Sequence, residues 1–506
     1  MAPRLAFTRR DAILLLLGAA FTRLWFIFAG DDDRDRPIYI DAVHTDTITI
    51  TITEATATTL TVSPAPTQAD PFPATSLVAH APGWTLFEDV YMSNGTLFIV
   101  SDNPSEFPEI RMMISTGLIA LNEPENIAAR EPTSHEMAII STQEARSRWG
   151  ANGISATAIL PVEGNTFLVN EPAQFLRHYF HFVAELFFGA QVFWHGAFFR
   201  NRDPSSSVPP IHRLIFTHSN SHGWHDEPGL NTFFLQAAFP SIHVEVHEAW
   251  DDRIALTAKG SRVWRFPRLL LSDRSAAHRG QICGTQTQRI ASEAWKYMQA
   301  KHQLMGIRGT EWWEPVRTAV LRLAKTPKVS SGDVGSQAAL GGISAMDAPK
   351  KVVISYISRQ TTSRRRLTDE SHAGLVAALT QLVQSKGDSW ELNVLETDKM
   401  TKEEQLQVAG RTDILLGVHG NGLTHLVMMP PTPISTVIEI FYPGGYAHDY
   451  EWTATALRKS HFAIWNDSVQ TAQQLPTYPE GFHGSQIPVD GPTVARLIDH
   501  HLAGRL

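Results

Sequence analysis

The strongest constraint in this chain lies between positions 352 and 441, where short apolar, β-branched runs alternate with amphipathic stretches of helical length. Segments 352–358, 391–395, 414–418 and 437–441 read as strands, and 372–385 and 401–409 as helices between them. Such alternation argues for a parallel sheet with helices on both faces, because parallel strands need crossover connections. Upstream the same rhythm recurs more loosely, with strands expected at 97–100, 166–169, 213–217, 243–247 and 263–271. Helices are expected there at 175–197, 231–238, 288–303 and 314–324. Two such halves predict an α/β protein of two Rossmann-like domains facing a cleft.

With 506 residues the chain has room for two or three domains with substantial cores. Its 43 Lys+Arg against 51 Asp+Glu leave a net charge of −8. That balance argues against nucleic acid as a partner, which needs a concentrated basic face. Cys283 is the single cysteine, so an intramolecular disulfide, a Cys-based zinc site and a thioredoxin-like pair are excluded.

At the N-terminus Arg4, Arg9 and Arg10 precede an apolar stretch at 12–30, and Asp31, Asp32 and Asp33 follow it. This charge order predicts a signal anchor over 1–30 with its N-terminus cytosolic. The stretch is close to the ~20 residues that cross ~30 Å of hydrocarbon, and Arg23 lies far enough along it to snorkel. A cleaved signal peptide and a buried helix are the alternatives. Residues 31–81 are rich in Thr and Pro and read as an extended stalk, although the Thr/Ile alternation at 45–53 also suits a strand. Asn94 and Asn466 open glycosylation sequons. The remaining boundaries are expected at 82–285 for the N-terminal domain, 286–480 for the C-terminal domain with a flexible Gly/Ser-rich insertion at 325–350, and 481–506 for a tail or helix.

The most specific chemistry follows the strand at 414–418. There His419-Gly420-Asn421-Gly422-Leu423-Thr424 opens a second apolar stretch that Pro430 and Pro431 close. Glycines at a strand-to-helix turn let backbone N–H groups approach an anion, and the helix terminus adds favourable dipole charge. A plain loop is the alternative. After the strand at 352–358, Ser358 leads into a loop carrying Arg359, Arg364, Arg365 and Arg366. Loops at the C-terminal ends of parallel strands line the ligand crevice, and guanidinium groups there suit phosphate. A solvated charged face is the competing account, strongest for Arg366. Glu439 sits inside an apolar strand and so needs a partner, whether a ribose hydroxyl, an arginine or a structural salt bridge.

Arg359 with Arg364-Arg365, the run His419 to Thr424, Glu439, and the upstream His178-Tyr-Phe-His181-Phe-Val-Ala-Glu185 together resemble glycosyltransferase family 61, over roughly 163–465. The resemblance implies a GT-B fold and inverting transfer from a UDP-sugar, with xylose or N-acetylglucosamine moved to a glycan or glycoprotein hydroxyl. It also implies a secretory setting, in the Golgi or endoplasmic reticulum membrane with the catalytic part lumenal. Asn421 stands where the family usually has Ala, and His425 where it usually has Asn, so donor identity does not carry over. On this resemblance the donor-binding residues are Ser358, Arg359, Arg364, Arg365, the His419–Gly420–Asn421–Gly422–Leu423–Thr424 turn and Glu439. Arginines and backbone donors would carry the leaving group's charge, so no cofactor or metal is expected.

Inverting transfer needs a base for the acceptor proton. His181 and Glu185, four apart, share a helix face and are the first candidates as base or as base and orienting partner. A core histidine is the alternative, since Phe180, Phe182, Phe187 and Phe188 surround them. Asp449 is the second candidate. A hydrolase would need two flanking carboxylates, for which no obvious pair exists. A non-catalytic carbohydrate- or nucleotide-sugar-binding scaffold of the same fold is the alternative function.

Overall fold

A computed structural model describes residues 72–121, 123–150, 158–198, 208–277, 290–301, 311–325, 351–470 and 484–504. The expected anchor, residues 31–71 of the expected stalk and residues 326–350 of the insertion lie outside them. Among the described residues no helix is long and apolar enough to cross a membrane.

The first sheet is built from β1 (Ser76–Ala81), β2 (Trp84–Ser93), β3 (Thr96–Val100), β4 (Met137–Ile140), β5 (Ile159–Pro161), β6 (Asn165–Pro172), β7 (Arg213–His218), β8 (His243–Glu245) and β9 (Val263–Ser272). Its order is β4-β3-β2-β9-β6-β7-β8, with β1 on β2 and β5 on β9. The β9-β6-β7-β8 half is parallel and corresponds to the α/β pattern read from the sequence. The other half departs from a Rossmann-like sheet, because β2 runs antiparallel to β1, β3 and β9. Local chemistry explains this: Asn94-Gly95 joins β2 to β3, both residues at positive φ, the two-residue turn whose twist matches a hairpin. The sequon at Asn94 is thus also a turn, and Asn466, between β14 and β15 below, repeats the arrangement with φ of 49°. The stalk boundary at 81 moves as well. Phe72 is buried against Tyr91 and Trp149, and β1 is an integral strand.

The second sheet contains β10 (Val352–Ile357), β11 (Trp390–Leu395), β12 (Ile414–Val418), β13 (Thr436–Ile440), β14 (Ser460–Trp465) and β15 (Ser468–Gln470) in the order β11-β10-β12-β13-β14-β15. All but β15 are parallel, with Ile354 opposite Ile414 across the central pair. From β10 the chain crosses to β11 on one side, and from β12 to β13 on the other. The strand order therefore reverses between β10 and β12, and in such sheets ligands bind outside the carboxyl ends at this point. Helix Asp369–Lys386 begins with Thr368 accepting from the Ser371 N–H, and Lys402–Ala409 with a capping box between Thr401 and Glu404. The C-terminal helix Gly491–Leu502 packs on Asp369–Lys386, so it belongs to this domain rather than forming a separate tail.

The helices Ile290–Ala300 and Glu314–Leu323, expected in the C-terminal domain, instead pack on Phe188–Phe198 and Leu230–Ala238 of the first half. Aromatic contacts fix this packing: Trp313, at the N-cap of Glu314–Leu323, lies 5.1 Å from Phe188 and 6.2 Å from Phe234, ring centroid to ring centroid. The two halves share one apolar cluster, in which Phe167, Phe182 and Phe216 are continuous with Leu415, Leu423, Leu426, Met428 and Ala454.

Candidate active site

At the switch point Ser358, Arg359, Thr361 and Thr362 from the loop after β10 meet Gly422 and Leu423 after β12 around one pocket, which Thr397 and Asp398 after β11 complete. Arg359 lies across Gly420: a Cβ there would come within 2.8 Å of the Arg359 Nη1, so a side chain at 420 would displace the guanidinium. The guanidinium Nε donates to the Arg365 carbonyl at 3.1 Å. Burial and Arg365 both disfavour its charge, and neither arginine forms an ion pair among the described residues. An anion in the pocket would relieve both. Arg365 itself holds a left-handed backbone with φ of 52°, a strained conformation for a non-glycine residue. Arg364, expected beside it, is solvent-exposed and outside the pocket. The Thr362 hydroxyl, placed against the Arg359 and Arg364 carbonyls, turns the loop so that Arg364 faces water.

His419 is buried behind the pocket, stacked on Phe441 with ring centroids 5.3 Å apart. Its Nδ1 lies 2.5 Å from one oxygen of Glu439, while His461 Nε2 lies 2.9 Å from the other. Glu439 is 0% exposed, so it cannot meet a ribose hydroxyl. It bridges two histidines, and His461 is a partner the sequence did not suggest. Burial, then Asp449 and Glu451, push the Glu439 carboxyl well up, while burial pushes His461 down to about 4. Thr424 is fully buried and Leu423 nearly so, which makes them packing residues of the turn, Leu423 with one edge on the pocket.

The segment after the glycines, Asn421–Met428, is a 3₁₀ helix. Trp313 donates to the Val427 carbonyl at 2.8 Å, Arg317 to Met428 at 2.9 Å, and Lys459 to Met429 and Pro430. Carbonyls at and beyond its C-terminal end are thereby satisfied by fixed donors. The Lys459 ammonium, almost fully buried, is pushed down to about 7 by that burial.

Across from this wall, Phe180–Phe187 forms a π-helix, a rare conformation that recurs at functional sites. His181 and Glu185 share one face, as expected, with His181 Nδ1 2.6 Å from Glu185 Oε2. Glu185 is buried and also receives the Arg274 guanidinium, which touches Glu171 on its other side and lies 4.4 Å over the Phe175 ring. Burial alone would raise the Glu185 carboxyl, but Arg274 and His181 hold it below its ordinary value. An ionised carboxylate only accepts, so His181 Nδ1 is its donor and Nε2 is the ring nitrogen left to face other partners. The neighbouring His178, pushed down to about 4 chiefly by burial, adds no positive charge.

Arg274 and Glu171 come from the carboxyl ends of β9 and β6, as the switch-point loops come from the carboxyl ends of β10 and β12. The two walls touch. Asn421, expected to bind donor, accepts from the Phe180 N–H at 3.0 Å, and Tyr450 donates to the Gly420 carbonyl at 2.7 Å while its ring lies 4.8 Å from Phe180. Asp449 is buried between them; burial and then Glu185 push its carboxyl well up against an opposing pull from Arg365. His425 lies in the same seam, 5.5 Å from the Tyr179 ring, with Nε2 3.0 Å from Gln405. Among the described residues no group of three or more His, Cys, Asp or Glu side chains is placed to hold a metal ion.

A switch-point pocket lined by Arg359, with an oriented histidine on the segment that packs against its glycine turn, suits transfer of a group away from an anionic leaving group. The chain belongs to glycosyltransferase family 61, whose family model, Glycosyltransferase 61, matches residues 179–438, from the π-helix to β13. It is similar to the EGF domain-specific O-linked N-acetylglucosamine transferase of Drosophila melanogaster, with 33% identity over 81 residues. That alignment takes in 16% of this chain and 14% of the relative's length.

Proposed function

We propose that the chain transfers a sugar, N-acetylglucosamine or xylose, from a UDP-sugar to a hydroxyl of a glycan or glycoprotein, with inversion, in a GT-B arrangement of the two halves. The observation that carries this reading is the convergence of Arg359 and the His419–Gly422 turn at the switch point, opposite His181 and Glu185. The printed name of the relative favours N-acetylglucosamine. In the reaction the bond from the anomeric carbon to the diphosphate breaks as the acceptor oxygen bonds from the opposite face. His181 Nε2 takes the acceptor proton, and Glu185, held ionised by Arg274, stabilises the imidazolium that results. Charge building on the departing diphosphate is met by Arg359, Arg365 and the N–H groups at the start of Asn421–Met428, which favours the transition state over the ground state. Burial and the neighbouring Glu185 favour the protonated carboxyl of Asp449, so it is not free to take the acceptor proton. Transfer on this scheme needs no metal.

The same reading places the chain in the secretory pathway, in the Golgi or endoplasmic reticulum membrane and anchored through 12–30, with both sequons on the lumenal side. Release of UDP from UDP-N-acetylglucosamine and UDP-xylose by the purified protein, with EDTA present, is the direct test. Turnover of one donor is expected. No release from either, or release only after manganese is added back, would overturn the scheme. Protease protection in intact microsomes tests the location.

A further inference from the structure

We propose that Asp398 recognises the ribose of the nucleotide, its carboxylate accepting from the 2′- and 3′-hydroxyls. The inference rests on the donor-pocket reading above and assigns the pocket's other end. Asp398 lines the same pocket as Arg359, on the short turn Thr397–Lys399 that follows β11. Its carboxylate is exposed and makes no hydrogen bond or ion pair among the described residues, whereas nearby Glu396 is paired with Lys399 and Glu391 with Lys351 and Arg411. The backbone beneath it is fixed: Gln405 Nε2 donates to the Thr397 carbonyl at 2.8 Å and to Met400 at 3.2 Å.

Chemistry narrows what such a group can meet. An ionised carboxylate is acceptor-only, and the phosphates of a nucleoside diphosphate offer it no donor and repel it. The ribose diol offers two hydroxyl donors on one face. A pocket lined by both a guanidinium and a carboxylate without an ion pair among the described residues therefore suits a nucleoside diphosphate, its phosphates toward Arg359 and its ribose toward Asp398. The position agrees with a general property of βαβ units, in which an acid at the carboxyl end of the second strand takes the ribose; here that strand is β11, beside β10. Glu439, the carboxylate expected for such a contact from the sequence, is sealed between His419 and His461.

Calorimetry of UDP and of 2′,3′-dideoxy-UDP on the full chain, for the parent, Asp398→Asn and Arg359→Ala, tests this. The parent is expected to bind UDP roughly ten- to a hundredfold more tightly than the dideoxy nucleotide, the range for hydrogen bonds to a charged group. Asp398→Asn is expected to lose most of that advantage for UDP and to leave the dideoxy nucleotide unchanged; because the side chain is exposed, its melting temperature should match the parent's. If Asp398→Asn weakens both nucleotides equally, or neither, the ribose assignment is wrong even where Arg359→Ala weakens UDP. If the parent binds no UDP, or Arg359→Ala leaves UDP affinity intact, the pocket reading falls and the assignment with it.

Discussion

Arg359, seated on the Gly420 backbone and without an ion pair among the described residues, carries a charge that burial and Arg365 disfavour and that an anion would stabilise. Arg359→Ala should weaken UDP binding by about 1.5–3 kcal/mol, measured by calorimetry. Unchanged affinity in the folded variant would move the donor site elsewhere. On the facing wall, His181→Ala should slow transfer about 100- to 10,000-fold with UDP affinity retained, since the donor contacts lie in the other half. Arg274→Met is a different case. It leaves Glu171 and Glu185 buried without their cation, and should cost about 3–5 kcal/mol in chemical denaturation. The pair His181 and Glu185 could be read from the sequence because four residues bring side chains to one helix face. Arg274 lies 89 positions from Glu185, and His461 22 from Glu439, so only folding brings them together. Asp398 carried no signal of its own either, being one acidic residue in a polar turn.

Among the elements, the π-helix and the 3₁₀ helix are joined end to end. The bond from the Phe180 N–H to Asn421 Oδ1 crosses between the two halves, and a plain glycine-rich turn at 419–422 would have no such tie. Asn421→Ala should strand that N–H at a cost of about 1–3 kcal/mol and reduce transfer more than UDP affinity, because it loosens the segment that carries His181. Equal losses in kcat and UDP binding would instead make Asn421 a donor contact. In the second half β10 to β13 are legible, since β10, β12 and β13 are apolar on both faces and the helices between them carry their own caps at Thr368 and Thr401, whereas β14 and β15 at the sheet's edge are not. In the first half Asn94-Gly95 is at once a sequon and a hairpin turn. The π-helix was not legible, because its apolar residues extend all round and leave no periodicity to read.

For the molecule as a whole, the shared core carries the consequence. Two domains with separate cores would open independently, whereas here Leu423, Leu426 and Met428 are packed in the same cluster as Phe182 and Trp313. The described fold should therefore unfold in one calorimetric transition at neutral pH. Two histidines lie against this seam, His178 and His425, each pushed down to about 4 by burial. His425 is the cleaner probe, since burial is the cause of its shift and its ring packs on Tyr179 of the opposite half. A histidine whose folded pKa is depressed binds fewer protons in the native state than in the unfolded one. Its contribution to stability is thus fully present above the unfolded value near 6.5 and is lost as pH falls toward 4. Other buried groups add their own pH dependence: Glu439 and Asp449, raised by burial, are each stabilising at low pH and lose that contribution as pH rises. The informative quantity is consequently the difference between the parent and His425→Asn, which keeps a hydrogen-bonding side chain for Gln405 but does not titrate. Melting temperatures of both proteins between pH 7.5 and 4.5 should show the parent losing ground to the variant below about 6.5, with little change above it. A constant difference across that range would mean that His425 is solvated in the folded state, and that the seam between the halves is open rather than packed.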